Sequence, residues 1–214
     1  NYALKIPTNQ GALGFGINAR FLNGYEAAYF QHNGTNVQYA KNTRNSAIVQ
    51  GVFAEFGFTT SNLVNDASEF NLQKNGSGFA FDLGLLIIVG GDSDAYTFKI
   101  GISILDVGFI NFNTNAASHF IQTDSTRLLG GNDYEQFTGL TELEDIAELF
   151  STQSLADPNA SRKGDNFKLW LPTALSLQVD YSFTENIFFN ATVIQRIPVS
   201  GTAVERGNLF AISP

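Results

Sequence analysis

The sequence predicts an all-β protein, an antiparallel transmembrane β-barrel carried by a chain that reads as incomplete. Three observations predict it. Long stretches alternate apolar and polar residues with a period of two. The connections between them sort by length, short at one end and long at the other. Aromatic residues gather toward both ends of the apolar face, with aliphatic residues between them.

Composition sets the outer bounds. Only 15% of the 214 residues are charged, below the roughly 25% of an average soluble protein, and no apolar run reaches the roughly 20 residues of a membrane helix. Phe and Gly are each used 20 times and Pro only 5, which suits strands with aromatics on one face and small residues on the other. There is no Cys, so disulfides and thiolate metal sites are ruled out. A net charge of −8 and the lack of any Lys/Arg run argue against nucleic acid as a partner. Asn1 begins the chain with neither Met nor a charged-then-apolar leader, as expected of a processed or partial chain.

Strands are expected, in order, at 12–22, 47–58, 78–89, 96–105, 171–183 and 187–196, with another beginning at Asn208. The clearest is "LPTALSLQVDYSF", where Leu175, Leu177, Val179, Tyr181 and Phe183 oppose Ala174, Ser176, Gln178, Asp180 and Ser182. Folding 78–89 onto 96–105 about "GGDSDA" pairs Leu85 with Ile100 and Gly84 with Gly101. Folding 171–183 onto 187–196 about "TEN" pairs Phe183 with Ile187, Tyr181 with Phe189 and Val179 with Ala191. Both registers keep apolar against apolar, as a sheet with one buried face requires.

With consecutive strands antiparallel, the turns 90–95 and 184–186 share one end, and the connections 59–77 and 106–166 share the other. That sorting belongs to outer-membrane barrels. Segment 23–46 breaks it by its length, with room for a strand near 25–30. On the apolar face, Tyr96, Phe98, Tyr181, Phe183 and Phe189 stand toward the short turns. Phe56, Phe58, Phe79 and Phe81 stand toward the long loops, near Phe167 and Trp170. Leu83, Ile100, Ile102, Leu175 and Leu177 lie between. Two interfaces around a hydrocarbon centre select this order, whereas a sandwich core places its large aromatics centrally.

Three segments carry a resemblance: "GFAFDLGLLI" (78–87), "YTFKIGISILDVGFINFN" (96–113) and "LPTALSLQVDYSFTENIFFNATVIQ" (171–195). Together they resemble a family of Bacteroidota outer-membrane β-barrel proteins of unassigned function, akin to the barrels that accompany type IX secretion and gliding machinery. The resemblance spans about Val52 to Pro214. It implies the fold and an envelope setting, and it brings no catalytic residues. Members of that family run longer, which also implies that this chain is partial.

The opposite face is Gly, Ser, Thr and Asn with isolated charges. Arg20, Glu55, Asp82, Lys99, Asp180 and Arg196 are the charged residues expected to face a lumen, where they line a pathway or pair with one another. "GALGFGINAR" places its glycines inside an alternating strand, so it is no dinucleotide loop, which needs a strand before it and a helix after it. His32 and His119 are the only histidines, and no GxSxG elbow or HExxH pair occurs. Asp92 and Asp94 in "GGDSDA" are too few oxygens for a calcium loop. No catalytic residue, metal or cofactor is expected, and the protein is read as a non-enzyme.

Within the 106–166 connection, "TELEDIAELFS" predicts a helix over 141–151. Thr141 and Glu144 stand at capping-box spacing, and Leu143, Ile146, Ala147 and Phe150 form an apolar stripe beside an acidic face. The stripe either packs over the chain's own loops, docks a partner or gates the lumen.

Residues 1–214 are therefore read as one partial barrel domain of the bacterial outer membrane, with 106–166 as a long loop insertion. The expected partners are outer-membrane lipid and other envelope proteins. Two functions fit: a structural or accessory subunit of a larger envelope assembly, or a passive or gated, porin-like channel for small solutes. A soluble ligand-binding β-barrel or sandwich is the alternative at the level of fold.

Overall fold

The computed structural model describes residues 1–32, 38–43, 46–60, 73–91, 96–140, 142–184 and 187–214. The chain runs β1 (Tyr2–Thr8), β2 (Gly11–Gly24), β3 (Ala28–His32), β4 (Gln38–Thr43), β5 (Ser46–Thr59), β6 (Gly76–Val89), β7 (Phe98–Phe112) and β8 (Ala116–Leu129). It continues with α1 (Gly131–Glu135), α2 (Leu143–Leu155), β9 (Arg162–Gly164), β10 (Phe167–Trp170), β11 (Ala174–Thr184), β12 (Ile187–Arg196) and β13 (Leu209–Ser213). Every expected strand is present, and most are longer than their clean alternation. The 106–166 stretch is not one loop: it holds the end of β7, all of β8, both helices and β9, and stops just short of β10. Segment 23–46 likewise holds β3 and β4.

The architecture is mostly antiparallel sheet, but no closed barrel is seen among the described residues. An eight-stranded sheet runs β1-β2-β6-β7-β11-β12-β13, with β10 also on β7, and a five-stranded sheet runs β3-β5-β8-β9, with β4 also on β5. Contacts fall into two compact units. The first is 1–22, 78–110 and 169–214; the second is 23–77 and 111–168.

In the eight-stranded sheet the register joins the apolar residues across strands. Leu4 faces Phe15 and Tyr2 faces Ile17. Leu177 lies between Ile102 and Val193, Tyr181 between Phe98 and Phe189. Val193 in turn faces Phe210. The expected β11–β12 pairing holds for Tyr181 and Val179, but an irregularity near the turn sets Thr184, not Phe183, opposite Ile187. A Cβ on Gly84 would stand 3.8 Å from the Ser103 Cβ, so Gly84 lies beside Ser103 and not beside Gly101. The offset is two residues, which leaves every side chain on its expected face. Glycine is required at two points along β6 and β7: a Cβ on Gly78 would strike the Phe109 carbonyl, and one on Gly108 that of Phe79.

This sheet does not cover its apolar face. Leu83, Phe98, Ile102, Ile104, Leu175, Leu177, Phe189 and Phe210 are all exposed. Its fully buried residues are small, such as Ala80 and Ala174.

The five-stranded sheet differs. Ala54, Phe56 and Phe58 of β5 and Ala117 and Ile121 of β8 form a buried cluster that Ala147 of α2 closes, with Phe150 and Leu155 packed against it. Phe56 and Phe58, expected in an exposed aromatic girdle, are thus core residues, as is Phe167, which stacks on Phe112 at 4.9 Å.

Candidate functional site

Two places concentrate chemistry-bearing side chains, one in each unit. The first lies in the eight-stranded sheet around Asp106. Up to Ile104, β7 exposes even-numbered apolar residues; beyond Asp106 the exposed apolar residue is Val107. The phase slips at Asp106, which sits in the left-handed region at φ 56°. Asp tolerates that region better than most residues, and a one-residue slip is what a bulge produces.

The conformation is over-determined by its partners. The Asp106 backbone N–H donates to Asp82 Oδ1 at 2.8 Å, and Thr173 Oγ1 donates to the Asp106 carbonyl at 3.0 Å. Arg20 bridges both carboxylates, at 2.9 Å to Asp82 and 2.6 Å to Asp106. Asn18 Nδ2 donates to the other Asp82 oxygen at 2.8 Å. Arg206 reaches Asp106 Oδ2 at 3.2 Å and so fixes the segment between β12 and β13 to this cluster. Two guanidinium and two carboxylate groups balance. The arrangement can hold strands and a loop in place, but offers no unpaired charge for chemistry.

Of the six charged residues expected together, Arg20 and Asp82 meet. Lys99 and Asp180 are cross-strand partners, and the Lys99 ammonium sits 3.6 Å from the centre of the Tyr96 ring. Arg196 pairs instead with Glu205 at 3.0 Å. Glu55 belongs to the five-stranded sheet, where it accepts from Lys163 at 2.9 Å and from the Tyr29 hydroxyl at 3.4 Å. Burial, and then the Glu55 charge, push Tyr29 up to about 12. Asp106 and Arg206 were not singled out from sequence; the slip between Ile104 and Val107 was the available sign for the first, and nothing local marks the second.

The second place is a groove in the other unit, between α2 and strands β3 and β5. The helix begins with Glu142 as N-cap in extended conformation without a side-chain cap bond; Thr141, on which the expected capping box depends, lies outside the described residues, as do Asp92 and Asp94. Glu144 and Asp145 in its first turn complement the helix dipole, and Ala156 in the left-handed region ends it by donating to the Thr152 carbonyl. Arg162 ties Glu144 back at 2.7 Å.

Of the four stripe residues, Ala147 is buried on the sheet and Phe150 lies 6.0 Å from the Phe56 ring, so both serve the chain's own core. Leu143 and Ile146 remain open. With Phe30, Phe56, Phe58 and Phe150 they line a cavity of about 400 Å³.

Behind the groove, His119 is buried and stacks on Phe56 at 4.9 Å and on Phe58 at 5.6 Å. Its Nδ1 is 2.9 Å from Ser161 Oγ; the Ser161 N–H donates to Ser151 Oγ, which donates to the Asp157 carbonyl. Burial, and then the Arg162 charge, push the imidazole below its usual range, against the opposing pull of Glu144. Among the described residues no carboxylate is bonded to the ring, and its Nε2 is buried without a partner. The pair is therefore a packed core feature and not a nucleophile with its base. Among the described residues no three His, Asp or Glu cluster as metal ligands would.

Residues 2–211 match the profile of DUF5723, a family of unknown function. The chain belongs to that family. No curated protein and no solved structure matches it.

Proposed function

We propose that this chain is part of a bacterial outer-membrane β protein that serves as a structural or accessory subunit of a larger cell-envelope assembly. The observation that carries the reading is the uncovered apolar face of the eight-stranded sheet, continuous in register from Leu175 and Leu177 to Ile102, Val193 and Phe210. Monomeric soluble proteins rarely leave an apolar surface of such extent open, and lipid is the partner that suits a face with aromatic ends and an aliphatic middle. The resemblance of 78–87, 96–113 and 171–195 to Bacteroidota barrels near secretion and gliding machinery supports the envelope setting. Only this sheet is read as spanning, because α2 covers the centre of the five-stranded sheet's apolar face, around Phe56, Phe58 and Ile121.

A second reading, a passive or gated channel, is favoured by the opposite face of the same sheet. There Gly101 faces Gln178, Ser103 faces Ser176 and Lys99 faces Asp180, a polar surface suited to water. The experiment that separates the two is native extraction in mild detergent followed by planar-bilayer recording. The assembly reading expects migration with a defined envelope subunit and low conductance. Stable channels from a protein that purifies alone reverse the choice. A monodisperse, β-rich protein in plain buffer overturns the membrane setting altogether.

A further inference from the structure

The groove beneath α2 has no role in spanning a membrane, and its surface asks for an occupant. Leu143, Ile146 and Phe30 are large, exposed and apolar, and they surround a hollow floored by Phe56, Phe58 and Phe150. Its volume of about 400 Å³ lies within the roughly 300–1,000 Å³ range of small-ligand pockets. We propose that this groove binds the hydrocarbon chain of a single-chain amphiphile whose head is uncharged or cationic.

Three features select that class. The side chains that form the hollow are overwhelmingly hydrocarbon, so they offer contact to methylenes and little to orient a polar body. Among the described residues that line the hollow, the one hydroxyl is that of Tyr29, and it is already given to Glu55. At the N-terminal end of α2, Glu142 and Asp145 are exposed carboxylates next in sequence to Leu143 and Ile146, while Arg162 is held by Glu144 and Asp165. An anionic head would meet like charge at that end; a neutral or cationic head would not. A partner's apolar side chain is a different occupant, and the test distinguishes it.

The test uses the full chain in phosphatidylcholine nanodiscs, or in buffer if it stays soluble there, with a diazirine-bearing dodecyl glycerol ether as the probe. After photolysis, peptide mapping should place label on the segment containing Leu143 to Phe150. Ile146→Trp, which fills the hollow, should raise the half-saturating probe concentration about tenfold, the effect of displacing roughly two methylenes. Leu143→Trp at the open side gives a second reading should the first variant lose its protease resistance. Dodecanol and dodecyltrimethylammonium should both displace the probe more strongly than dodecanoate.

An unlabelled α2 segment, or label that neither tryptophan reduces, overturns the site. Equal displacement by dodecanoate overturns the head-group class, and displacement only by apolar peptides assigns the groove to a protein partner and overturns the proposal. Label on the exposed strand residues between Leu175 and Phe183 reports the membrane face separately. The groove and the spanning sheet can thus fail independently.

Discussion

The five-stranded and eight-stranded sheets both carry strongly apolar faces, yet only the first has the centre of its face covered. In the five-stranded sheet, Ile121 is wholly buried and Ala147 of α2 closes over Phe56 and Phe58. In the eight-stranded sheet, Leu177 sits mid-strand among Ile102 and Val193 and is still 40% exposed. The difference lies not in the strands' alternation but in what the chain supplies to meet it. One face receives a helix with an apolar stripe; the other receives nothing among the described residues. A face left open in this way is an instruction about environment.

The largest expected effect breaks the covered face. Ile121→Ala removes most of a fully buried side chain from a packed cluster, at a cost of about 2–5 kcal/mol. Hydrogen exchange of the β8 and α2 amides measures it, and the loss should be the same in nanodiscs and in detergent. A loss that depends on the lipid would mean that the five-stranded sheet also meets the bilayer.

The open face gives the next effect. Leu177→Arg should destabilise by about 2–4 kcal/mol in a bilayer, the cost of a charge at the hydrocarbon midplane. Gln178→Arg, one residue on and facing Gly101 and Thr192, should cost much less. Reversible unfolding in urea with lipid present reads both. Equal penalties would mean that the two faces share one environment and would remove the contrast between the sheets.

How much of this could be read from the sequence follows the same contrast. Strands β6, β7, β11 and β12 were legible because an open sheet keeps clean alternation over ten or more residues. Strand β8 was not, because its core-facing slot between Ala117 and Ile121 holds His119, a polar residue accommodated only by stacking on Phe56 and Phe58. A ring partner supplied by another strand leaves no local mark. The helix was legible from its stripe, but its role was not: only β5 and β8 in place show that Ala147 and Phe150 are spent inward, leaving Leu143 and Ile146. Closure of the barrel was inferred from strand pattern, yet ring closure is a property of edges, and pairing of β1 with β13 is not seen among the described residues. Arg20 and Asp82 were picked out as charges on one face. Their meeting with Asp106 and Arg206 spans up to 100 positions and follows from fold alone.

That cluster supplies a third, smaller effect and sharpens what holds the open sheet together where hydrophobic burial does not. Asp106→Asn keeps a side chain that tolerates the left-handed region but deprives Arg20 and Arg206 of a charged partner. The cost should be about 1–3 kcal/mol, toward the lower end because the groups are part-exposed. Limited proteolysis between Ile197 and Asn208 should quicken as the Arg206 tether loosens. An unchanged cleavage rate would show that the backbone bonds from Trp170 to Thr202 and Val204, with the Arg196–Glu205 pair, hold the segment without the Arg206 tether.

The smallest effect concerns acid, and it should appear in the covered sheet only. His119 is buried and held below the usual imidazole range, first by burial and then by Arg162. The unfolded chain therefore binds a proton more readily than the folded one, and stability rises with pH wherever that holds. Its contribution is fully present above about 6.5, the ordinary value, and is lost as pH falls from there toward the depressed folded value. His119→Phe keeps an aromatic ring in the stack on Phe56 and Phe58 and removes a nitrogen that has no partner among the described residues. Unfolding of the five-stranded sheet, followed by hydrogen exchange at β8, should then lose part of its slope below about pH 6.5, while exchange in β11 and β12 keeps its own. A slope that survives the substitution would show that His119 does not carry the acid sensitivity of this sheet.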